Sequence, residues 1–237
     1  VAVLVNGNYV VLSPDWDNGA ASNVGAATFG SGSSGISGVV TSANSLVGST
    51  ASDRVGLRGV TPLSTGNYVV QCPECDNGAA VDAGAVIFGA ASSGISGVVA
   101  PSNSLVGSSS GDRVGDELYA QANGAYLVKS EQWDDGATMD AGAVTLGPSD
   151  GSATGAITVG NSAIGLVENG GPTHRFSYDP VRNQLAAGQR PSTRVVLHRT
   201  GIATAVSIVG EAPDPSVGGE PVTFTATVSA SPNAPNN

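Results

Sequence analysis

The chain has 237 residues, of which 34 are glycine and only 12% are charged. Its formal net charge is −10, from 9 basic and 19 acidic residues. Nucleic acids and anionic membrane surfaces both require basic patches, so this charge argues against either partner. No apolar run approaches the roughly 20 residues of a membrane-spanning helix, and we expect no membrane span. The apolar residues fall in short, spaced runs among glycines, which favours tightly turned β structure over disorder.

The dominant feature of the sequence is an internal repeat. Residues 7–56 align with residues 66–115 without a gap, and 33 of these 50 positions are identical. A third, weaker copy follows, and then a fourth, abbreviated one. A period of this length predicts a stacked or radial repeat architecture. We predict copies at 1–59, 60–117, 118–175 and 176–200, followed by a separate segment at 201–237.

Each copy contains short runs of strand-forming residues separated by turn residues, and no window has helical periodicity. Four or five strands per copy predict an all-β fold. Each copy of about 59 residues then forms an antiparallel sheet like a β-propeller blade. The alternative is an open β-stack, in which the first strand does not pair with the sheet containing Arg194–His198. In the first copy the predicted strands are Val1–Leu4, Tyr9–Leu12, Gly25–Gly30, Ile36–Val40 and Ser45–Val47.

The sequence pattern changes after residue 200. A strand is predicted at Thr204–Val209, and alternating residue types predict another at Pro221–Val228. Residues 214–228 resemble the first two strands of a bacterial immunoglobulin-like domain. Such a domain needs about 80–100 residues, so the resemblance implies an incomplete sandwich. We infer that the chain is a piece of a longer multidomain protein.

The two cysteines, Cys72 and Cys75, lie in one Cys-Pro-Glu-Cys run. A redox dithiol or half of a zinc site is conceivable. However, no second cysteine pair exists, and His174 and His198 are distant in sequence. The other copies have Ser and Trp in these two columns. A short-loop disulfide, or a pair of inert thiols, is therefore the favoured interpretation.

A loop rich in Asp and Asn follows the second strand of each copy. Clustered oxygen ligands around a glycine turn are suited to Ca²⁺. The alternative is that these side chains bond to the backbone of their own turn, and the lack of a complete ligand series with a distal Glu favours it. No other cofactor is expected. The candidate calcium ligands are Asp15, Asp17, Asp76, Asp82, Asp134 and Asp140.

Two tryptophans, Trp16 and Trp133, lie beside these loops. An exposed Trp in an acidic loop is suited to stacking on a sugar, whereas a buried one packs against the adjacent copy. A repeated arginine, Arg54 and Arg113, is expected to pair with a carboxylate or to cap a turn. The candidate ligand-binding residues are Trp16, Trp133, Asp17, Asp76 and Asp134.

Several spaced motifs carry a resemblance to known repeats. They are Asn-Tyr-Val-Val at 67–70, Asp-Asn-Gly at 76–78, Asp-Ala-Gly-Ala-Val at 82–86 and Asn-Ser-Leu-Val-Gly-Ser at 103–108. Together they resemble tandem repeats of very large bacterial surface proteins of the filamentous-haemagglutinin or adhesin type. Residues 68–89 are also similar to the FG-GAP repeat of integrin-type β-propellers, although the first turn lacks the carboxylates of calcium-binding members.

No nucleophile elbow, phosphate loop or His-Glu metal motif is present, and we expect no enzyme. The acidic composition with a single lysine is typical of secreted bacterial surface proteins. We therefore expect an extracellular or cell-surface adhesin-type protein that presents repeated loops for adhesion or spacing. Its expected partners are a glycan or protein of a host or neighbouring cell, or copies of itself.

Two other functions are compatible with the sequence. One is a structural subunit of an extracellular filament, assembled by strand addition through residues such as Val222–Val228. The other is a lectin-like or calcium-dependent binding propeller.

Overall fold

The computed structural model of the chain describes residues 1–190, 194–199, 202–208 and 226–230. These residues form 19 strands, and their only helical element is a 3₁₀ turn at Gly171–Thr173. The predicted all-β class is therefore confirmed.

The strands recur in the same order in the three copies. In the first copy they are β1 (Ala2–Val3), β2 (Tyr9–Ser13), β3 (Ala26–Gly30) and β4 (Leu46–Val47). In the second they are β5 (Val60–Pro62), β6 (Tyr68–Cys72), β7 (Ala85–Gly89), β8 (Gly97–Val98) and β9 (Ser104–Val106). In the third they are β10 (Glu117–Ala120), β11 (Tyr126–Ser130), β12 (Ala143–Gly147), β13 (Gly155–Ala156) and β14 (Ser162–Ile164). The remaining strands are β15 (His174–Asp179), β16 (Gln184–Gln189), β17 (Arg194–Arg199), β18 (Ile202–Ile208) and β19 (Ala226–Ala230).

Each copy forms its own antiparallel sheet, as predicted, and neighbouring copies are linked by strand pairing. The first sheet has the order β1-β2-β3-β4-β8 and the second β13-β9-β7-β6-β5. Strand β8 belongs to the second copy but pairs in parallel with β4 of the first. Strand β13 of the third copy pairs in the same way with β9 of the second. The second and third copies thus each add a strand to the sheet of the copy before them.

This arrangement corrects the prediction of a strand at Ile36–Val40. The equivalent strands β8 and β13 are two residues long, and each is held by the edge of the preceding sheet. The first copy has no preceding sheet in the structure, and its residues 36–40 form no strand.

The apolar core lies between the sheets, because residues that alternate along a strand point to opposite faces. In β6, Tyr68 and Val70 pack against the first copy, whereas Val69 packs against the third. A third cluster joins the third copy to the sheet of β15–β19, where Leu185 and Ala187 are buried. Both faces of the second and third sheets are therefore covered.

Aromatic rings pack over a glycine inside a copy and against another ring between copies. The ring of Tyr68 lies across Gly89, where a Cβ atom would be 2.1 Å from Tyr68 Cζ. Burial raises the pKa of Tyr68 to about 12, and its hydroxyl accepts a hydrogen bond from Ile95 N at 3.2 Å. Phe29 of the first copy stacks on Tyr68 with ring centroids 6.3 Å apart. These contacts explain why the Tyr and Gly columns recur.

The copies form an open stack in the described part of the chain. Strand β1 lies at the outer edge of the first sheet, paired with β2. Strand β17 lies in the middle of the last sheet, between β16 and β18. The first strand and the sheet containing Arg194–His198 are therefore separate, and the described residues do not close into a propeller.

The predicted boundary after residue 200 falls in the connection between β17 and β18. These strands pair antiparallel from Arg194↔Ser207 to Arg199↔Ile202, and β19 pairs with β18. The described strands on both sides of the boundary thus belong to one five-stranded sheet. Most of the predicted immunoglobulin-like segment, including residues 209–225, lies outside the described residues.

The packing of Tyr68 on Gly89 predicts the effect of a single methyl group. We expect Gly89→Ala to lower the free energy of unfolding by about 3 kcal/mol, because the new Cβ overlaps a fully buried ring. Gly160→Ala is the matched control: its Cβ would lie 3.5 Å from the nearest atom, Thr158 Oγ1, and its cost should stay within about 1 kcal/mol. Urea unfolding followed by circular dichroism measures both. Equal effects of the two substitutions would contradict this account.

Candidate functional site: the repeated acidic loop

The acidic loop of each copy joins its second and third strands and is closed at its base by backbone hydrogen bonds. In the first copy, Trp16 N donates to Ser13 O at 3.1 Å and Gly25 N donates to Trp16 O at 3.0 Å. The second and third copies repeat these bonds. The tip of the loop, residues 18–20, is exposed.

Carboxylates inside the loop bond to the loop's own backbone. The Oδ1 atom of Asp17 accepts a hydrogen bond from Asn23 N at 2.7 Å. Asp76 accepts from Asp82 N at 2.9 Å, and Asp134 from Asp140 N at 2.8 Å. The donating residue has a positive φ in every copy, 52° at Asn23, 51° at Asp82 and 48° at Asp140. Asn and Asp tolerate this left-handed conformation better than most residues, which explains the column.

The same geometry bears on the candidate calcium ligands. Asp17, Asp76 and Asp134 each use one oxygen to close the turn, and Asp15 forms an ion pair with Arg54 at 2.8 Å. In residues 1–190 and the other described ranges, no group of three or more His, Cys, Asp or Glu side chains could hold a metal ion. The geometry matches the turn-closing interpretation, and calcium binding stays a prediction.

The structure separates the two candidate tryptophans. Trp16 is half-buried beside its loop. Trp133 is only 4% exposed and belongs to the core between the second and third copies. The expectation that Trp133 presents its ring to a sugar does not fit this position, because the neighbouring copy covers the ring. Packing accounts for it.

The cysteines occupy the corresponding position in the second copy. Cys72 and Cys75 form a disulfide bond and are buried in the core between the first and second copies. The disulfide therefore fills space that Ser and Trp fill in the other copies. His174 and His198 lie in β15 and β17 of the last sheet, far along the chain from the cysteines.

Two buried carboxylates hold the loops of neighbouring copies together. Asp53 is 1% exposed and Asp112 is fully buried. Asp112 Oδ2 accepts from Ser108 N at 2.8 Å and Ser109 N at 2.9 Å. Its Oδ1 atom accepts from Asp134 N, the acidic loop of the third copy, at 3.1 Å. One carboxylate thus binds three amides from two copies.

Asp53 makes the equivalent contacts one copy earlier. Its Oδ1 atom accepts from Asp76 N at 3.0 Å, and its Oδ2 atom accepts from Thr50 N at 2.9 Å. Sequence reasoning missed both aspartates, although they belong to the repeated Asp-Arg-Val-Gly motif. The repetition of this motif could have indicated a role for the aspartates, but only its arginines were interpreted.

Burial has an energetic cost at this junction. Burial of the Asp112 carboxyl raises its pKa, whereas the backbone hydrogen bonds from Ser109, Ser108 and Asp134 lower it.

The third copy has a different junction, because Gly170 occupies the position of Asp112. There Gln189 of β16 inserts its neutral amide, and Oε1 accepts from Leu166 N at 2.8 Å. The stack therefore ends on a side chain supplied by the last sheet.

The repeated arginines act close to the same junctions. Arg54 pairs with the exposed Asp15, and Arg113 Nε lies 3.1 Å from Asp116 Oδ2. Both arginines have positive φ values, 50° and 47°. Pairing with a carboxylate was one of the two predicted roles, and the structure shows such a pair at each position.

A family model described as a repeat of unknown function (DUF5650) matches residues 3–57, 62–116 and 120–171. The chain belongs to this repeat family. The three matches coincide with the three stacked copies of the structure, and they confirm the tandem repeat. No curated protein matches the chain significantly. The resemblance to adhesin-type and FG-GAP repeats therefore stays a prediction. In the described ranges, no helix is long and apolar enough to cross a membrane.

The inter-copy role of Asp112 predicts a large effect of its removal. We expect Asp112→Ala to lower the free energy of unfolding by about 3 kcal/mol, because it leaves three partly buried backbone amides without their carboxylate acceptor. The exposed Asp135 supplies the control, and Asp135→Ala should change stability by no more than about 0.5 kcal/mol. Urea titration monitored by circular dichroism reports both values. A cost at Asp112 as small as that at Asp135 would exclude the proposed linkage.

Proposed function

We propose that this chain is a non-catalytic, extracellular bacterial surface protein whose DUF5650 repeats hold a row of equivalent acidic loops at a regular spacing. The observation that carries the proposal is the repetition of one junction. In both pairs of copies a buried aspartate of one copy accepts the amide of Asp76 or Asp134 in the loop of the next. Equivalent contacts place equivalent loops on the same side of the stack.

The loop tips of the repeats are exposed and so are accessible to a partner. Ala20, Ala79 and Ala137 occupy the same column, and all three are exposed. The base of each loop is fixed by backbone hydrogen bonds. A rigid row of exposed tips is suited to weak contacts that add through multivalency. A surface glycan or protein of a host or neighbouring cell is the partner class we propose.

The extracellular location has independent support from the cysteines. Disulfides persist in oxidising compartments outside the cytosol, and the structure contains the Cys72–Cys75 bond. The acidic composition with one lysine, Lys129, is consistent with the same location.

The other functions considered from sequence receive less support. Strand β19 pairs with β18 of its own chain, so this edge of β19 is not offered to another subunit. The burial of Trp133 removes one of the two rings expected to stack on a sugar. Neither a filament by strand addition nor a lectin-like propeller is favoured by a specific contact.

The proposal predicts that binding depends on the number of intact loops. Ala20→Lys, Ala79→Lys and Ala137→Lys change exposed tips without touching the core. We expect each single variant to bind a few-fold more weakly and the triple variant at least about 100-fold more weakly, because avidity is lost as contacts are removed. Binding of labelled protein to an array of printed glycans and immobilised cell-surface proteins, with and without calcium, measures this.

The control places the same charge at the opposite end of the same strands. Ser33→Lys and Ser92→Lys lie in the exposed loops that follow β3 and β7, and they should leave binding unchanged. Undiminished binding by the triple loop variant would exclude the acidic loops as the binding surface. Loss of binding in the serine variants instead would assign it to the other end of the sheets. A requirement for calcium would favour the calcium-dependent alternative.

A further inference from the structure

The amino-terminal face of the first copy lacks the neighbour that the same face has in the later copies. We call it the entry face. In the second copy, Tyr68 and Val70 are buried against the first copy, whereas the equivalent Tyr9 and Val11 are only half-buried. Val39 is 80% exposed, compared with 44% for the equivalent Val98. The entry face consists of Tyr9, Val11, Gly35 and residues 36–40.

Among the described residues, no phenylalanine ring covers Gly35 in this face, whereas one covers the equivalent glycine in the later copies. We call the open space over this glycine the Gly35 socket. A Cβ atom on Gly94 would lie 2.4 Å from Phe29 Cβ, and one on Gly151 would lie 2.3 Å from Phe88 Cδ1. The Phe of the first copy and that of the second therefore each pack directly on a glycine of the copy that follows. At the equivalent Gly35 the nearest atom is Tyr9 Oη of the same copy, 3.7 Å away. This socket has the shape that accepts a Phe in the other copies.

The entry face also contains a segment, residues 38–40, whose equivalents in the later copies pair with the preceding sheet. In the second copy, Val99 N donates to Val47 O at 2.9 Å, and in the third, Ile157 N donates to Val106 O at 3.2 Å. Both bonds cross from one copy to the preceding one. Val40 occupies the equivalent position in the first copy, next to Gly38 and Val39, and these residues form no strand. An edge strand placed beside them would complete the sheet pattern.

We propose that the entry face binds a further DUF5650 repeat, which lays the Phe of its Phe29 column on Gly35 and pairs its Ser-Leu-Val edge with residues 38–40. The argument is continuity with an interface that the chain already forms twice. This proposal depends on the packing of neighbouring copies in the structure and not on the proposed adhesive function. A repeat is a better occupant than a second copy of this chain, because the outer face of the third copy is covered by the last sheet.

The test is to extend the full chain by a duplicate of residues 1–59 placed directly before Val1. We expect the amide of Val40 in the original first copy to exchange with solvent at least about 100-fold more slowly in the extended chain, since the new edge strand protects it. The amide of Gly38 should show the same change, because the equivalent Gly97 N donates to Ser45 O at 3.1 Å. Hydrogen exchange measured by NMR resolves both amides.

Two variants give the test its controls. Phe29→Ala in the added copy alone should reverse most of the protection, because it empties the Gly35 socket. Val39→Asp in the original copy should leave the urea midpoint of the unextended chain unchanged and lower that of the extended chain. Exchange at Val40 that is no slower in the extended chain would overturn the proposal. Protection that appears in the unextended chain only as its concentration rises would assign the face to self-association and overturn it as well.

Discussion

The structure depends on one constraint: the middle sheets have two apolar faces, and each face is buried only by a neighbouring sheet. Val69 and Val86 of the second copy point to the third copy, while Tyr68 and Ile87 point to the first. An isolated copy would expose both faces to water. Most of the favourable free energy of burial therefore lies between copies rather than inside them, as in other linear repeat proteins.

The same constraint accounts for the polar contacts at the junctions. Two loops from adjacent copies meet there and direct partly buried backbone amides at one side chain, and amides withdrawn from water need an acceptor. Asp53 and Asp112 supply it where a further repeat follows. Gln189 supplies it where the last sheet follows. The chain thus uses a carboxylate to continue the stack and an amide to end it. The acidic loops are held at these junctions, so their placement follows from the stacking.

Much of the fold was accessible from sequence, because the period and the spacing of Val and Gly report local strand patterns directly. The pairing of β8 with the preceding copy was not accessible, since the local pattern of Gly97–Val98 does not say which edge it joins. Asp112 was missed because a carboxylate in an acidic chain is usually on the surface. Sugar stacking and packing against the adjacent copy were both open for Trp133, because loop residues carry no periodicity that would indicate which way a ring points. Turn chemistry was predicted better: the Asp–backbone bonds of the acidic loops were one of the two alternatives considered.

The central claim is that the copies are energetically coupled through their shared faces. Val69→Ala tests it most directly, because Val69 is buried between the second and third copies, and the substitution should remove about 2 kcal/mol. Urea unfolding followed by NMR amide signals gives a separate midpoint for Val10 in the first copy and Val128 in the third. Coupling predicts that both midpoints fall together with that of the second copy. A fall confined to the second copy, with Val10 and Val128 unchanged, would contradict the account.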